Sequence, residues 1–119
     1  MTTYETDRAY AVRVMPSAAQ AIRDIHRYLA EGVGDPDAAA RSVDRVLSGV
    51  DSLERLPRRR RVVATDPLTG LELRSLPSGN YTILYVVAAS EVCVLTVLAS
   101  CADIESRIAE IFEYLAATD

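Results

Sequence analysis

Four consecutive arginines, Arg58, Arg59, Arg60 and Arg61, form the densest charge in a 119-residue chain whose 13 basic residues are all arginine. Guanidinium groups make paired hydrogen bonds to carboxylates and phosphates. The run is either a contact patch for an acidic protein surface or a phosphate backbone, or a solvated corner between two elements. Arg74 sits in a stretch that reads as a strand, where it either touches a target or pairs with a carboxylate such as Glu72 or Asp66. Tyr81 and Tyr85 are four apart in the next strand candidate and so share one face. Their rings and hydroxyls suit an exposed interface, or they edge the core. His26 lies one position off a helical apolar stripe, and nothing in the sequence pairs with it as a base would require.

The two cysteines offer little further chemistry. Cys93 reads as a small core residue. Cys101, past a strand end and near a helix start, is either a thiol of lowered pKa or inert. Eight extended residues separate them by ~26 Å, against the ~7 Å a disulfide allows, as fits a reducing compartment. Two cysteines and one histidine do not make a standard zinc site, so no metal and no cofactor are expected.

The positioning elements follow from the apolar pattern. Half the residues are hydrophobic and 25% are charged, a globular balance. No stretch approaches the ~18 apolar residues of a membrane span. Met1 to Tyr10 is polar and acidic, without the basic start and apolar run of a signal peptide, so a cytoplasmic location is expected. The net charge of −4 argues against nonspecific nucleic-acid binding.

Arg8 to Val14 reads as a strand. Pro16-Ser17 opens a helix in which Ser17 and Gln20 have capping-box spacing, and Ala18, Ile22, Ile25 and Leu29 make its stripe. Gly32 and Gly34 end it. Asp35 caps a second helix with Pro36 at its first position; Ala39, Val43, Val46, Val50 and Leu53 line it, and Pro57 stops it. The two form an antiparallel hairpin. Arg61 to Thr65 and Leu71 to Leu76 are strands around an Asp66–Gly70 turn, and Pro77-Ser78-Gly79-Asn80 turns again. Tyr81 to Ala88 and Val92 to Ala99 are apolar on both faces, as central strands covered on both sides are. A last helix follows at about 103–116. The order predicts an α+β sandwich around one core.

The stretch Gly70-Leu71-Glu72-Leu73-Arg74-Ser75-Leu76-Pro77-Ser78-Gly79-Asn80-Tyr81-Thr82-Ile83-Leu84-Tyr85-Val86-Val87 places an arginine on one strand, glycine in a tight turn, and Tyr-x-hydrophobic-x-Tyr on the next strand. With Tyr10 through Tyr28 as opening strand and helix, and Leu53 to Pro57 as the end of the second helix, the chain resembles the RelE/ParE toxin superfamily over residues 9–104. These are toxins of type II toxin–antitoxin systems. The resemblance implies an α+β fold: an N-terminal strand, an antiparallel helical hairpin packed on an antiparallel β-meander, and a C-terminal helix. A flexible tail at 1–8 would precede a single domain at 9–119.

Ribosome-dependent ribonucleases of the superfamily carry arginine directly after the first tyrosine, where this chain has Thr82. They carry basic or imidazole residues after the last central strand, where it has Ala99-Ser100-Cys101-Ala102. Metal-free RNA cleavage requires a base, an acid and cations; the matching positions supply Arg74, Tyr81 and Tyr85. The ParE-like branch, whose members poison DNA gyrase by binding, matches better.

The resemblance thus implies a toxin that inhibits a topoisomerase without chemistry of its own. The alternatives are a ribosome-dependent mRNA endonuclease using Arg74, Tyr81 and Tyr85, or a non-toxic antitoxin-binding module of the same fold. Expected target or partner contacts are Arg58, Arg59, Arg60, Arg61, Arg74 and Tyr81. The partners implied are DNA gyrase and a cognate antitoxin whose disordered tail folds on contact. That tail would dock in the groove between hairpin and sheet and along any open sheet edge. The C-terminal stripe Ile104, Ile108, Ile111, Phe112 and Leu115 either caps the chain's own sheet or is displaced by a partner helix. Neither membrane binding nor direct specific DNA binding is implied. Expressed alone, the chain is expected to be poorly soluble or to self-associate.

Overall fold

Proline, aspartate and glycine frame the helical half. The structure, a computed structural model, describes residues 9–117. The tail expected at 1–8 and the end of the domain at 118–119 lie outside the described residues. Strand β1 (Ala11–Val14) runs directly into helix α1 (Pro16–Arg27). Met15, not Ser17, holds the cap position, and it makes no side-chain cap bond. Pro16 is the first helical residue, so Ser17 already lies inside the helix, too late to cap it. Its hydroxyl donates instead to the Leu95 carbonyl, and Gln20 donates to Asp24.

Helix α1 ends in one widened turn, Tyr28–Gly32, where the Val33 N–H donates to the Tyr28 carbonyl at 2.8 Å. Gly34, at φ 82, reverses the chain. Helix α2 (Pro36–Ser52) starts as its sequence predicts: the Asp35 carboxylate accepts from the Ala38 N–H at 3.0 Å. Ala18 of α1, Ala39, Val46 and Val50 of α2, and Leu53 beyond it are buried.

Strands β2 (Arg61–Thr65), β3 (Glu72–Ser78), β4 (Tyr81–Ala88) and β5 (Glu91–Ala99) form the expected antiparallel meander. The sheet order is β1-β5-β4-β3-β2. β1 joins β5 in parallel, Ala11 opposite Glu91, so the whole sheet is mixed. Pro77 and Ser78 belong to β3, opposite Thr82 and Tyr81, rather than to the turn. β2 pairs no further than Ser75, so Pro77 falls where a strand edge tolerates its missing N–H. The turn is then Gly79 and Asn80, with Gly79 at φ 61, the left-handed backbone a two-residue hairpin demands.

β5 carries a bulge: Leu84 faces Thr96 but Tyr85 faces Val94. Side chains on either flank of it therefore keep to their proper faces. Val92, Val94 and Val97 join Ile83, Tyr85 and Val87 under the hairpin. Leu95 and Leu98 join Leu73, Leu84, Val86 and Met15 on the opposite face. Helix α3 (Ile108–Ala117), entered through a tight turn at Glu105–Arg107, covers that second face with Ile111. The single core implied by the element order is thus two cores, one on each face. Central strands apolar on both sides need two covers, and the hairpin can supply only one.

Candidate functional site

The corner between α2 and β2 is built from inside. Leu56 takes a left-handed backbone (φ 49), and Pro57–Arg59 make one tight helical turn. Pro57 is buried, while Arg58, Arg59 and Arg61 are exposed and Arg60 is half-buried. Arg74 lies opposite Tyr85 in the β3–β4 pair, and both point to the hairpin face. The Arg74 side chain, 11% exposed, pairs with Glu72 at 2.7 Å. One of its nitrogens, Nη1, also donates to the Arg58 carbonyl at 2.9 Å and the Arg60 carbonyl at 2.8 Å. Tyr85, with no exposed surface, donates its hydroxyl to the Pro57 carbonyl at 2.6 Å. Burial pushes that hydroxyl up to about 12, against an opposing pull from Arg74, Arg60 and Arg59. Arg58 donates to the Tyr10 hydroxyl at 3.0 Å and lies over its ring. Arg74, Tyr85 and the arginine run are therefore one assembly, in which the two inner side chains hold the backbone that displays the outer ones.

Tyr81 belongs elsewhere. It pairs with Ser78, four positions along β3 from Arg74, or ~13 Å of strand. Tyr81 borders a groove of about 660 Å³ between α1 and β5, with Ala21, Ile25, Tyr28, Val97 and Ala99. Burial, and then the neighbouring Tyr28, push the Tyr81 hydroxyl up. The widened turn that ends α1 leaves Tyr28 63% exposed. Its ring lies over Gly32, where an added Cβ would come within 3.3 Å. The groove follows a free length of backbone: β1 pairs with β5 only from Glu91 to Val94. The Met15 N–H bonds the Val94 carbonyl at 3.0 Å, the Ser17 hydroxyl takes the Leu95 carbonyl, and no described strand flanks β5 beyond that point. A second opening of about 230 Å³, lined by Ile111 and Tyr114, meets the same edge at Ser17 and Thr96 from the α3 side.

This frame has known counterparts. The family model for the ParE toxin of the type II toxin-antitoxin system, parDE, matches residues 12–100, three quarters of the chain. The chain belongs to the ParE toxin family. Similar solved structures share its fold. A chromosomal ParDE system from P. aeruginosa aligns at a TM-score of 0.61 and 16% identity, over 76% of this chain and 96% of that one. The RelBE2 toxin–antitoxin complex of Mycobacterium tuberculosis aligns at 0.53 and 22%, over 78% and 93%. The archaeal RelE–RelB complex of Pyrococcus horikoshii OT3 aligns at 0.54 and 19%, over 80% and 99%. No curated protein matches by sequence.

In this ParE-family chain the family match ends before α3, whose Ile111 is buried and whose Ile108, Phe112 and Leu115 are half-buried against the sheet together with Ile104. His26 is exposed. Cys93 and Cys101 are free thiols, and burial followed by the Glu91 carboxylate pushes the Cys93 thiol up, away from reactivity. Among the described residues no three His, Cys, Asp or Glu side chains gather as a metal site, and no helix is long and apolar enough to cross a membrane. Sequence reading missed three contributors: Tyr10, Tyr28 and the left-handed Leu56. Tyr28 carried a faint signal, three residues past Ile25 and beside the apolar stripe. Nothing local marks the other two.

Proposed function

We propose that this chain is a cytoplasmic toxin that inhibits DNA gyrase or a related topoisomerase by binding it, and that a cognate antitoxin neutralises it. The observation that carries this reading is the engagement of Arg74 and Tyr85. Phosphodiester cleavage requires an acid and a cation that can reach the scissile phosphate. Here the Tyr85 hydroxyl is buried on the Pro57 carbonyl, and Arg74 is held by Glu72 and two main-chain carbonyls. Thr82, which stands where a ribonuclease of the superfamily has arginine, is buried within 3.3 Å of the Ser100 hydroxyl. The exposed Arg58, Arg59 and Arg61, with Arg60 behind them, suit contact with a macromolecule.

The groove beside α1 and the bare edge of β5 are the surface on which an antitoxin segment would fold. An added strand gains main-chain hydrogen bonds from the edge and side-chain pockets from the groove. Structures that this chain resembles are complexes of toxins with antitoxins. In the free chain such an edge, with Val14 and Val62 exposed on the two outer strands, promotes self-association.

Inducing the chain in growing cells without antitoxin, while following protein synthesis within minutes, tests the target. The expected result is sustained early synthesis followed by filamentation and loss of viability, with supercoiling by purified gyrase inhibited by the purified chain. An early collapse of synthesis that Arg74→Ala abolishes would replace this reading with the nuclease. Unchanged growth would leave an antitoxin-binding module. For neutralisation, Ala21→Glu in the groove is expected to abolish antitoxin rescue while toxicity persists.

A further inference from the structure

Residues 55–61 hold five of the 13 arginines and no carboxylate, leaving eight arginines against all 17 aspartates and glutamates in the rest of the chain. The molecule is a negative body with one compact positive corner. Like charges at such density repel and favour a loose loop, yet this corner is fixed. Three of its carbonyls, those of Pro57, Arg58 and Arg60, are tied inward by Tyr85 and Arg74, and the Arg59 N–H closes on the Leu56 carbonyl at 3.2 Å. Arg74 is a buried cation that pairs with Glu72 through one nitrogen and holds the backbone of the run through the other. Leu56 holds a left-handed backbone that branched apolar residues rarely adopt, and such strain gathers at functional sites.

We propose that the corner is a preorganised docking site for a short acidic protein segment bearing an apolar side chain, with Arg74 and Tyr85 as its positioning residues. The acidic character follows from the arginines. The apolar side chain follows from Leu56 and Val62, 39% and 36% exposed on either side of them. The segment is short because a long polyanion, such as a nucleic acid, would run past the corner onto the acidic body and be repelled. Holding the backbone in advance removes the ordering cost that a flexible arginine loop would meet on binding. This inference deepens the reading of the arginine run as a contact surface, and it is independent of toxicity, gyrase and the antitoxin.

The test is fluorescence anisotropy on the full chain with two probes: a labelled Asp/Glu-rich dodecapeptide containing one central leucine, and a single-stranded oligonucleotide of equal charge. The peptide is expected to bind more tightly. The combined Arg58→Ala, Arg59→Ala and Arg61→Ala variant is expected to weaken it by about tenfold or more. Arg74→Met, with the whole surface run intact, is expected to weaken it severalfold, and Arg74→Lys to restore part of the loss. Circular dichroism establishes that each variant is folded; should Arg74→Met not fold, Tyr85→Phe takes its place. Tighter binding of the oligonucleotide with the same arginine dependence would overturn the proposal, as would peptide binding indifferent to the triple variant. A chain that fails to inhibit gyrase yet binds the peptide in this way removes the target and keeps the corner.

Discussion

On the hairpin face of the sheet, Tyr85, Arg74 and Ser78 reach from the strands to the carbonyls of Pro57, Arg58, Arg60 and Arg45. On the α3 face, Met15, Leu73, Leu84, Val86, Leu95 and Leu98 meet Ile108, Ile111 and Phe112 by apolar contact. Both faces exclude water, but only the first fixes direction. Apolar burial rewards area and is indifferent to angle, whereas a hydrogen bond from a buried donor has one good geometry. The hairpin face therefore sets the position of the arginine corner. The α3 face is held chiefly by apolar area, which sets no angle of its own.

The sharpest way to break this comparison uses two adjacent residues of β4. Ile83 and Leu84 are both fully buried but on opposite faces. Ile83→Ala and Leu84→Ala are each expected to cost ~2–5 kcal/mol in urea unfolding. Hydrogen exchange should then separate them: Leu84→Ala loosens α3 amides first, and Ile83→Ala those of α1 and α2. Identical exchange patterns would show that the faces are not independent.

Tyr85→Phe comes next, leaving the Pro57 carbonyl without its donor at ~1–3 kcal/mol. It also carries a pH signature. The Tyr85 hydroxyl is held at about 12 against an ordinary 10.0, so above pH 10 the unfolded chain releases a proton that the folded chain retains. Stability is then complete below pH 10 and falls between 10 and 12. Tyr85→Phe is expected to flatten this fall in alkaline denaturation curves, and an unchanged slope would count against the buried bond. Ser78→Ala, which removes the 3.0 Å bond to the Arg45 carbonyl, should cost ~1 kcal/mol. Leu56→Gly has the smallest expected effect and the opposite sign. Relief of left-handed strain outweighs glycine's greater unfolded freedom by ~0.5 kcal/mol, and a slightly raised melting temperature checks it.

The parts legible in the sequence were those decided locally. Asp35-Pro36 starts α2 and Gly34 breaks the chain where backbone chemistry alone requires it. The doubly apolar β4 and β5 announce central strands by composition. The parts that were not legible depend on partners distant in sequence. The Ser17–Gln20 spacing has the form of a cap, but the hydroxyl is taken by Leu95, 78 residues away. The parallel pairing of β1 with β5 leaves no mark in four residues of weak alternation. At the site, Arg74 pairs with Glu72, one of the two carboxylates named from sequence. Its grip on the arginine run was hidden because main-chain carbonyls have no letter in a sequence. Tyr81 and Tyr85 share a face as their spacing requires, yet one borders the groove and the other is sealed.

The bulge in β5 means that this strand holds one residue more than its ladder uses. Val94 and Val97 serve one core while Leu95 and Leu98 serve the other; between the two valines the ladder pairs Thr96 with Leu84 and passes over Leu95, so these two residues share one place. A length change of one residue elsewhere in a central strand would turn every later side chain to the wrong face. Here the loss of Thr96 would restore strict alternation with each valine and leucine still on its own side. In a scan of single-residue deletions along the strand, this position is where the reading frame of the sheet has slack.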